Sequence, residues 1–207
     1  MPKTENRLYK KKSGAFRDAR RFFIIAEGER EDRYFSWFQG KNPKRLVIEI
    51  IERQGFGSAP QNMLKRLEHF LPESARLEGD QIWFVLDVDR WPREAIEELN
   101  QFVQLHQDWN IAVSNPSFEV WLYYHIGDPK QSNCRSPADF KRILPEISTG
   151  GYNVEKFAPL IEKAAKNARN ADDSLAHHYP EFAISKVYRL ADAMLVFLKL
   201  PFEGKVR

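Results

Sequence analysis

Hydrophobic residues along this chain form short, almost continuous runs that alternate with segments of helical spacing. The runs are Phe22–Ala26, Leu46–Ile51, Ile82–Leu86 and Ile111–Val113. Uninterrupted runs rich in β-branched and aromatic residues are typical of strands buried on both faces of a parallel sheet. We therefore predict four parallel strands that are connected by right-handed crossovers.

The segments between and after these runs place apolar residues three and four positions apart, which predicts helices. The first begins after Glu27-Gly28-Glu29, where Gly28 is expected to allow a sharp turn. In the segment that follows the run Ile111–Val113, Asn115 is expected to cap a helix and Pro116 to occupy its first position. The resulting fold class is α/β, a Rossmannoid four-stranded parallel sheet flanked by helices.

The remainder of the chain divides into segments of different character. Residues 1–21 form a basic arm, 22–127 the α/β domain, and 128–207 a helical extension that begins with a polar, proline-containing loop. Apolar stripes in the extension, such as those around Phe157–Ala168 and Ala183–Phe197, need a partner. We expect the extension to pack on the sheet domain.

Composition narrows the functional classes. No stretch approaches the roughly 18 apolar residues that a membrane span requires, which predicts no membrane partner and a cytoplasmic location. Cys134 is the single cysteine, so the chain can form neither an internal disulfide nor a cysteine metal cage.

The whole chain has a net charge of +3, and its positive charge is concentrated at the amino terminus. Without this segment, the rest of the chain is acidic. Cationic arms neutralise phosphates, so this one is a candidate nucleic-acid-binding segment. A solvated terminus explains the same charges equally well. The candidate binding residues are Lys10, Lys11, Lys12, Arg17, Arg20 and Arg21.

Carboxylates follow two of the predicted strands directly. Glu27 follows the first run, and Asp87 and Asp89 end the third with side chains on the same side of the strand. Parallel strands bring their carboxyl ends to one edge of the sheet, where ligands bind. Three acids there predict a Mg²⁺ or Mn²⁺ site. Helix capping or simple exposure to solvent is the alternative.

Glu119 lies near the start of a predicted helix, where its charge complements the helix dipole. It could equally supply a fourth carboxylate, or a supporting hydrogen bond, at the same edge of the sheet.

Three motifs resemble a known family. Glu27-Gly28 and Asp87-Val88-Asp89 resemble the Toprim fold of primases, topoisomerases and related nucleases. Together with the stretch from Ser114 to Trp121, they resemble the RloB family of small Toprim-like proteins from bacterial defence loci. The resemblance covers most of the chain.

The resemblance implies a metal-dependent nuclease-like centre, with Glu27 as general acid/base and Asp87 and Asp89 as magnesium ligands. Glu31 takes the place of a family glutamate in the turn after the first strand, although the family's threonine is missing here. The resemblance also implies an AAA/ABC-type ATPase partner encoded nearby and a role in anti-phage defence.

Three functions compete. The leading hypothesis is a metal-dependent phosphodiesterase acting on DNA or RNA. The alternative is a non-catalytic module that recognises nucleic acid or nucleotide and regulates the ATPase. A haloacid-dehalogenase-like phosphatase would use Asp87 as a nucleophile, but that motif normally closes the first strand and requires Thr or Val where Trp91 stands.

Overall fold

A computed structural model describes residues 19–53, 55–148 and 151–198. Within them, five strands form one sheet in the order β2-β1-β3-β4-β5. The strands are β1 (Arg20–Ala26), β2 (Leu46–Ile50), β3 (Gln81–Asp87), β4 (Trp109–Asn115) and β5 (Ile184–Ser185). The first four pair in parallel, which confirms the α/β class.

Helices connect and cover the strands. They are α1 (Glu29–Ser36), α2 (Pro60–Phe70), α3 (Arg93–Val103), α4 (Glu119–Tyr124), α5 (Pro137–Ile147), α6 (Val154–Phe157), α7 (Ile161–Ala171) and α8 (Val187–Leu198). Short 3-10 helices occur at Glu73–Ala75, Pro129–Gln131 and Ala158–Leu160.

Two hydrophobic cores lie on the two faces of the sheet. Because side chains alternate along a strand, Phe22 and Ile24 enter one core while Phe23 and Ile25 enter the other. The first core is shared with α1, α4, α5, α7 and α8, and the second with α2 and α3. Burial on both faces explains why the strand sequences are continuously apolar.

The expectation of a purely parallel four-stranded sheet is wrong, because β5 pairs antiparallel with β4. Ala183 has a φ of 63° at the entry to this two-residue strand, and the Ser114 and Ser185 hydroxyls lie 2.9 Å apart. The expected C-terminal helix included both strand residues. A strand this short carries no alternation of its own, and Ala183 just before it lies four positions from Val187, which fits the apolar spacing of the helix that follows.

Asn115 and Pro116 do not begin a helix. Asn115 ends β4, its side-chain amide donates to the Pro180 carbonyl at 2.9 Å, and the Asn115–Pro116 peptide is cis. Helix α4 begins three positions later, at Glu119. The capping residue and proline therefore mark the turn between strand and helix, and the capping expectation is wrong.

A buried ion pair fastens β5 and α8 to the end of α7. The Lys186 ammonium is fully buried and contacts the Asp172 carboxylate at 2.5 Å, and it also donates to the Ser174 carbonyl at 2.8 Å. The Tyr188 hydroxyl donates to the same Asp172 oxygen at 2.7 Å. Each of these buried polar groups has a hydrogen-bond partner within the protein. Polar bonds therefore join the C-terminal helices in addition to apolar packing.

Among the described residues, no helix combines the length and hydropathy that crossing a membrane requires.

Replacing Lys186 with methionine leaves the Asp172 carboxylate buried without its counter-charge. We expect Lys186→Met to lower the free energy of unfolding by about 3–5 kcal/mol, measured by denaturant titration. The matched control is Lys130→Met, since Lys130 pairs with the exposed Asp173. Its cost should stay under about 1 kcal/mol. Equal losses in the two variants would contradict the assigned role of the buried pair.

Candidate active site

Six acidic side chains line one open cleft of about 370 Å³ at the carboxyl-terminal edge of the parallel strands, namely Glu27, Glu29, Glu31, Asp87, Asp89 and Glu119. Glu27 follows β1, Asp87 ends β3, and Asp89 lies two residues further on. Glu31 and Glu119 come from the first turns of α1 and α4. The structure therefore brings together every carboxylate that the sequence singled out.

Glu27 connects the ends of the two central strands. Its backbone amide donates to the Val85 carbonyl at 2.9 Å, continuing the pairing of β1 with β3, and its Oε2 accepts the Asp87 amide at 3.0 Å. Arg90 lies 3.6 Å from Oε1. Burial raises the pKa of Glu27, while the Asp87 amide and Arg90 oppose that rise. Glu27 therefore lines the cleft and also holds the end of β3 in place by accepting the Asp87 amide.

Glu31 folds back from α1 toward the end of β1, and Gly28 makes the room. A Cβ atom at Gly28 would lie 2.6 Å from Glu31 Oε2, so the Glu31 carboxylate would have to shift to admit one. Gly28 has an extended backbone (φ −123°), which any residue can adopt, so its value here is the space that it leaves for the Glu31 carboxylate. Burial, reinforced by the charges of Glu27 and Glu119, raises the pKa of Glu31 to about 7.

Asp87 and Asp89 differ in their surroundings although they end the same strand. Asp87 Oδ1 is buried and has no hydrogen-bond partner. Burial raises the pKa of Asp87 well above its usual value, and the charges of Glu31 and Glu27 act in the same direction. Asp89 is exposed at the cleft. Partial burial raises the pKa of Asp89, but Lys141 and Arg90 lower it.

Both carboxylate oxygens of Glu119 are engaged. Oε1 pairs with the Arg30 guanidinium, and Oε2 accepts from the Ser117 hydroxyl at 2.7 Å. Glu119 is buried and occupies the first turn of α4. The position suits both roles that the sequence left open, since the side chain can complement the helix dipole and also face the other acids.

Sequence reasoning missed the cations of this cleft. Arg30, Arg33, Arg90 and Lys141 line it beside the carboxylates, as does Tyr152. The two α1 arginines lie three and six positions after Glu27, and Arg90 directly follows Asp89, so their spacing was a usable signal. Lys141 comes from α5, and nothing in its local sequence distinguishes it.

The predicted basic arm is only partly described. Lys10, Lys11, Lys12 and Arg17 lie outside the described residues. Arg20 and Arg21 lie at the amino-terminal end of β1, about 20 Å along the strand from the cleft. Arg21 pairs with Asp80 and lies over the Phe23 ring at 4.8 Å. The structure does not bring these two arginines to the acids.

The donor set suits a hard divalent cation bound partly through substrate. Within the described ranges, no group of three or more His, Cys, Asp or Glu side chains is already arranged to hold a metal ion. Magnesium, however, commonly binds through one or two carboxylates, with water and substrate phosphate completing its shell. Asp87, with its unpartnered Oδ1, and the exposed Asp89 supply such oxygens.

Comparison with known proteins yields one match. A family model described as RloB-like protein matches residues 22–194, most of the chain. No curated protein and no solved structure shows significant similarity to the chain.

The raised pKa of Glu31 predicts how stability changes with pH. The unfolded glutamate ionises near 4.5 and the folded one near 7, so folding is penalised as pH rises through this interval. We expect Glu31→Gln to be more stable than the parent at pH 8, by roughly 1–3 kcal/mol, with little difference at pH 4.5.

Denaturant titrations at several pH values measure this difference. The control is Glu98→Gln, which removes an exposed carboxylate on α3. Its effect should not vary with pH. A pH-independent difference for Glu31→Gln as well would contradict the assigned electrostatics.

Proposed function

This chain belongs to the RloB-like protein family, and we propose that it is a metal-dependent nuclease-like enzyme that hydrolyses phosphodiester bonds in nucleic acid. The observation that carries the proposal is the cleft itself. Desolvated carboxylates occupy its floor, and four cationic side chains line the same cleft. A cleft with this charge pattern suits a divalent cation and a phosphate together, because each offsets the repulsion that the other would meet alone.

Each side chain has a distinct task in this proposal. Asp87 and Asp89 would hold the metal ion, which supplies Lewis-acid polarisation of a phosphoryl oxygen and lowers the pKa of bound water. Arg90 and Lys141 bind the phosphate backbone. Glu31, with a pKa of about 7, is poised to move a proton at neutral pH.

The resemblance of the motifs to the RloB family implies the general acid/base role for Glu27. Its Oε2 is committed to the Asp87 amide and its Oε1 faces Arg90. We assign it to placing Asp87 while its remaining lone pairs assist proton transfer.

The finer family assignments are part of the proposal. The glutamate after β1 and the Asp-x-Asp that ends β3 support a Toprim-like α/β domain with the C-terminal helices packed on it. Family membership supports a cytoplasmic role in bacterial anti-phage defence, with an AAA/ABC-type ATPase as partner and DNA or RNA as target.

The direct test is cleavage of single-stranded DNA, duplex DNA and transfer RNA in Mg²⁺ or Mn²⁺. We expect Asp87→Asn and Asp89→Asn each to lower the cleavage rate by about 100-fold or more, because each loses a metal ligand charge. The control is Asp108→Asn, which makes the same change on an exposed aspartate just before β4, at the opposite edge of the sheet. Its rate should match the parent.

Cleavage that survives in both aspartate variants would overturn the proposed mechanism. Binding of nucleic acid without cleavage by the folded parent would favour the second function, a recognition module that signals to an ATPase. That function gains support from the cationic lining, which is sufficient for binding without turnover. Cleavage distinguishes the two, since both functions include the ATPase as partner. Failure of a non-cleaving parent to co-purify with the ATPase in the presence of ATP and nucleic acid would contradict the recognition module.

The cationic residues predict the salt dependence of binding. Arg90→Ala and Lys141→Ala should each weaken nucleic-acid binding and reduce the slope of log K against log salt by about 1, as expected for loss of one phosphate contact. Fluorescence anisotropy at several salt concentrations measures both quantities. Lys65→Ala, an exposed lysine on α2, is the control and should change neither. Unchanged slopes in both cleft variants would remove these residues from the binding surface.

A further inference from the structure

Arg30 and Glu119 form a bridge across the cleft between two helices. Arg30 lies in the first turn of α1, and its guanidinium reaches Glu119 at the start of α4, 89 positions later in the chain. The two side chains are unequal, since Arg30 is 42% exposed whereas Glu119 is 5% exposed. The buried carboxylate therefore depends on the arginine for a counter-charge more than the arginine depends on it.

The bridge places a positive charge against a carboxylate that belongs to the acidic cluster. The charge of Glu119 contributes to the raised pKa of both Glu31 and Asp87, so Glu119 lies within electrostatic reach of them. Arg30 offsets part of this repulsion at Glu119, as Arg90 does beside Glu27. A divalent ion that bound Glu119 Oε1 from the cleft would compete with the guanidinium for that oxygen.

Two further contacts suit such a replacement. The Ser117 hydroxyl holds the second Glu119 oxygen at 2.7 Å, so the carboxylate keeps its orientation when Arg30 leaves. The Arg30 guanidinium also lies 5.7 Å from the centre of the Tyr152 ring, on the cleft wall. This cation–π contact gives the released arginine a place to remain within the cleft.

We propose that Arg30 is a substrate-binding residue that exchanges Glu119 for a substrate phosphate when a divalent metal ion binds. The inference rests on the proposed function, because it requires that a metal ion and a phosphodiester share this cleft. A guanidinium matches phosphate with two parallel hydrogen bonds, as it matches carboxylate, so Arg30 retains an anionic partner after the exchange.

The exchange couples the two ligands. Without metal, Arg30 is held by Glu119 and is not available to phosphate. Once Glu119 serves the metal ion, Arg30 is free to bind substrate. Metal and nucleic acid therefore strengthen each other's binding, and the coupling is reciprocal.

The first measurement is calorimetric titration of Mn²⁺ into the full chain without nucleic acid. We expect Arg30→Ala to bind Mn²⁺ about tenfold more tightly than the parent, because the ion no longer displaces an arginine. The matched control is Arg33→Ala, which removes the same charge from the same helix and the same cleft. Its affinity should rise by less than about threefold. In a Glu119→Gln background, the effect of Arg30→Ala should fall to that of Arg33→Ala.

The second measurement is anisotropy with a short phosphorothioate oligonucleotide, with and without Mn²⁺. The parent should bind more tightly with Mn²⁺, and Arg30→Ala should lose most of that gain while Arg33→Ala keeps it. Equal Mn²⁺ affinities for the two arginine variants, an Arg30 effect that persists in Glu119→Gln, or no Mn²⁺ binding by the parent would each overturn the exchange. Exchange without cleavage would instead reject the nuclease and leave the Arg30 assignment standing.

Discussion

The pairing of β1 with β3 is the constraint on which the cleft depends. Ala26 lies opposite Val85, so Glu27 and Asp87 emerge at neighbouring points of the sheet edge. A shift by one residue would send every side chain to the opposite face and disrupt both cores. The bond from the Asp87 amide to Glu27 fixes the two strand ends to each other. The fully buried Arg66 on α2 also holds the end of β1, because its guanidinium donates to the Ala26 carbonyl at 2.8 Å.

This rigid edge holds carboxylates that would not remain close in water. Glu27, Glu31 and Asp87 all have raised pKa values, chiefly because burial removes them from solvent. In its ionised form, each of these carboxylates lowers the free energy of unfolding, because a charged group without full solvation opposes folding. The two well-packed cores supply the stability that offsets this cost. Nearby arginines offset the repulsion without abolishing it. This unrelieved repulsion is the physical basis of the proposed metal and phosphate chemistry, because a bound cation would reduce it.

The described part of the C-terminal segment supports the cleft without lining it with a carboxylate. Strand β5 pairs with the end of β4, Asn115 binds the Pro180 carbonyl, and the Tyr124 hydroxyl donates to the Ala183 carbonyl at 2.9 Å. These contacts fix the turn before α4 and the helix itself, which carries Glu119. The Lys186–Asp172 pair then holds β5 and α8 against α7. The extension therefore acts as a support for one wall of the cleft.

The sequence by itself determined the four parallel strands and the positions of the acids. A strand buried on both faces must be apolar throughout, so local composition reveals it, and a carboxylate at its end must lie at the sheet edge. Strand β5, the position of Lys141 in the cleft and the Arg30–Glu119 bridge were decided only by the tertiary structure. Their residues come from distant segments, and Lys141 on α5 resembles any exposed lysine until the chain is folded. Long-range contacts leave no periodic trace in sequence, because only the packing of one element on another selects which surface charges meet.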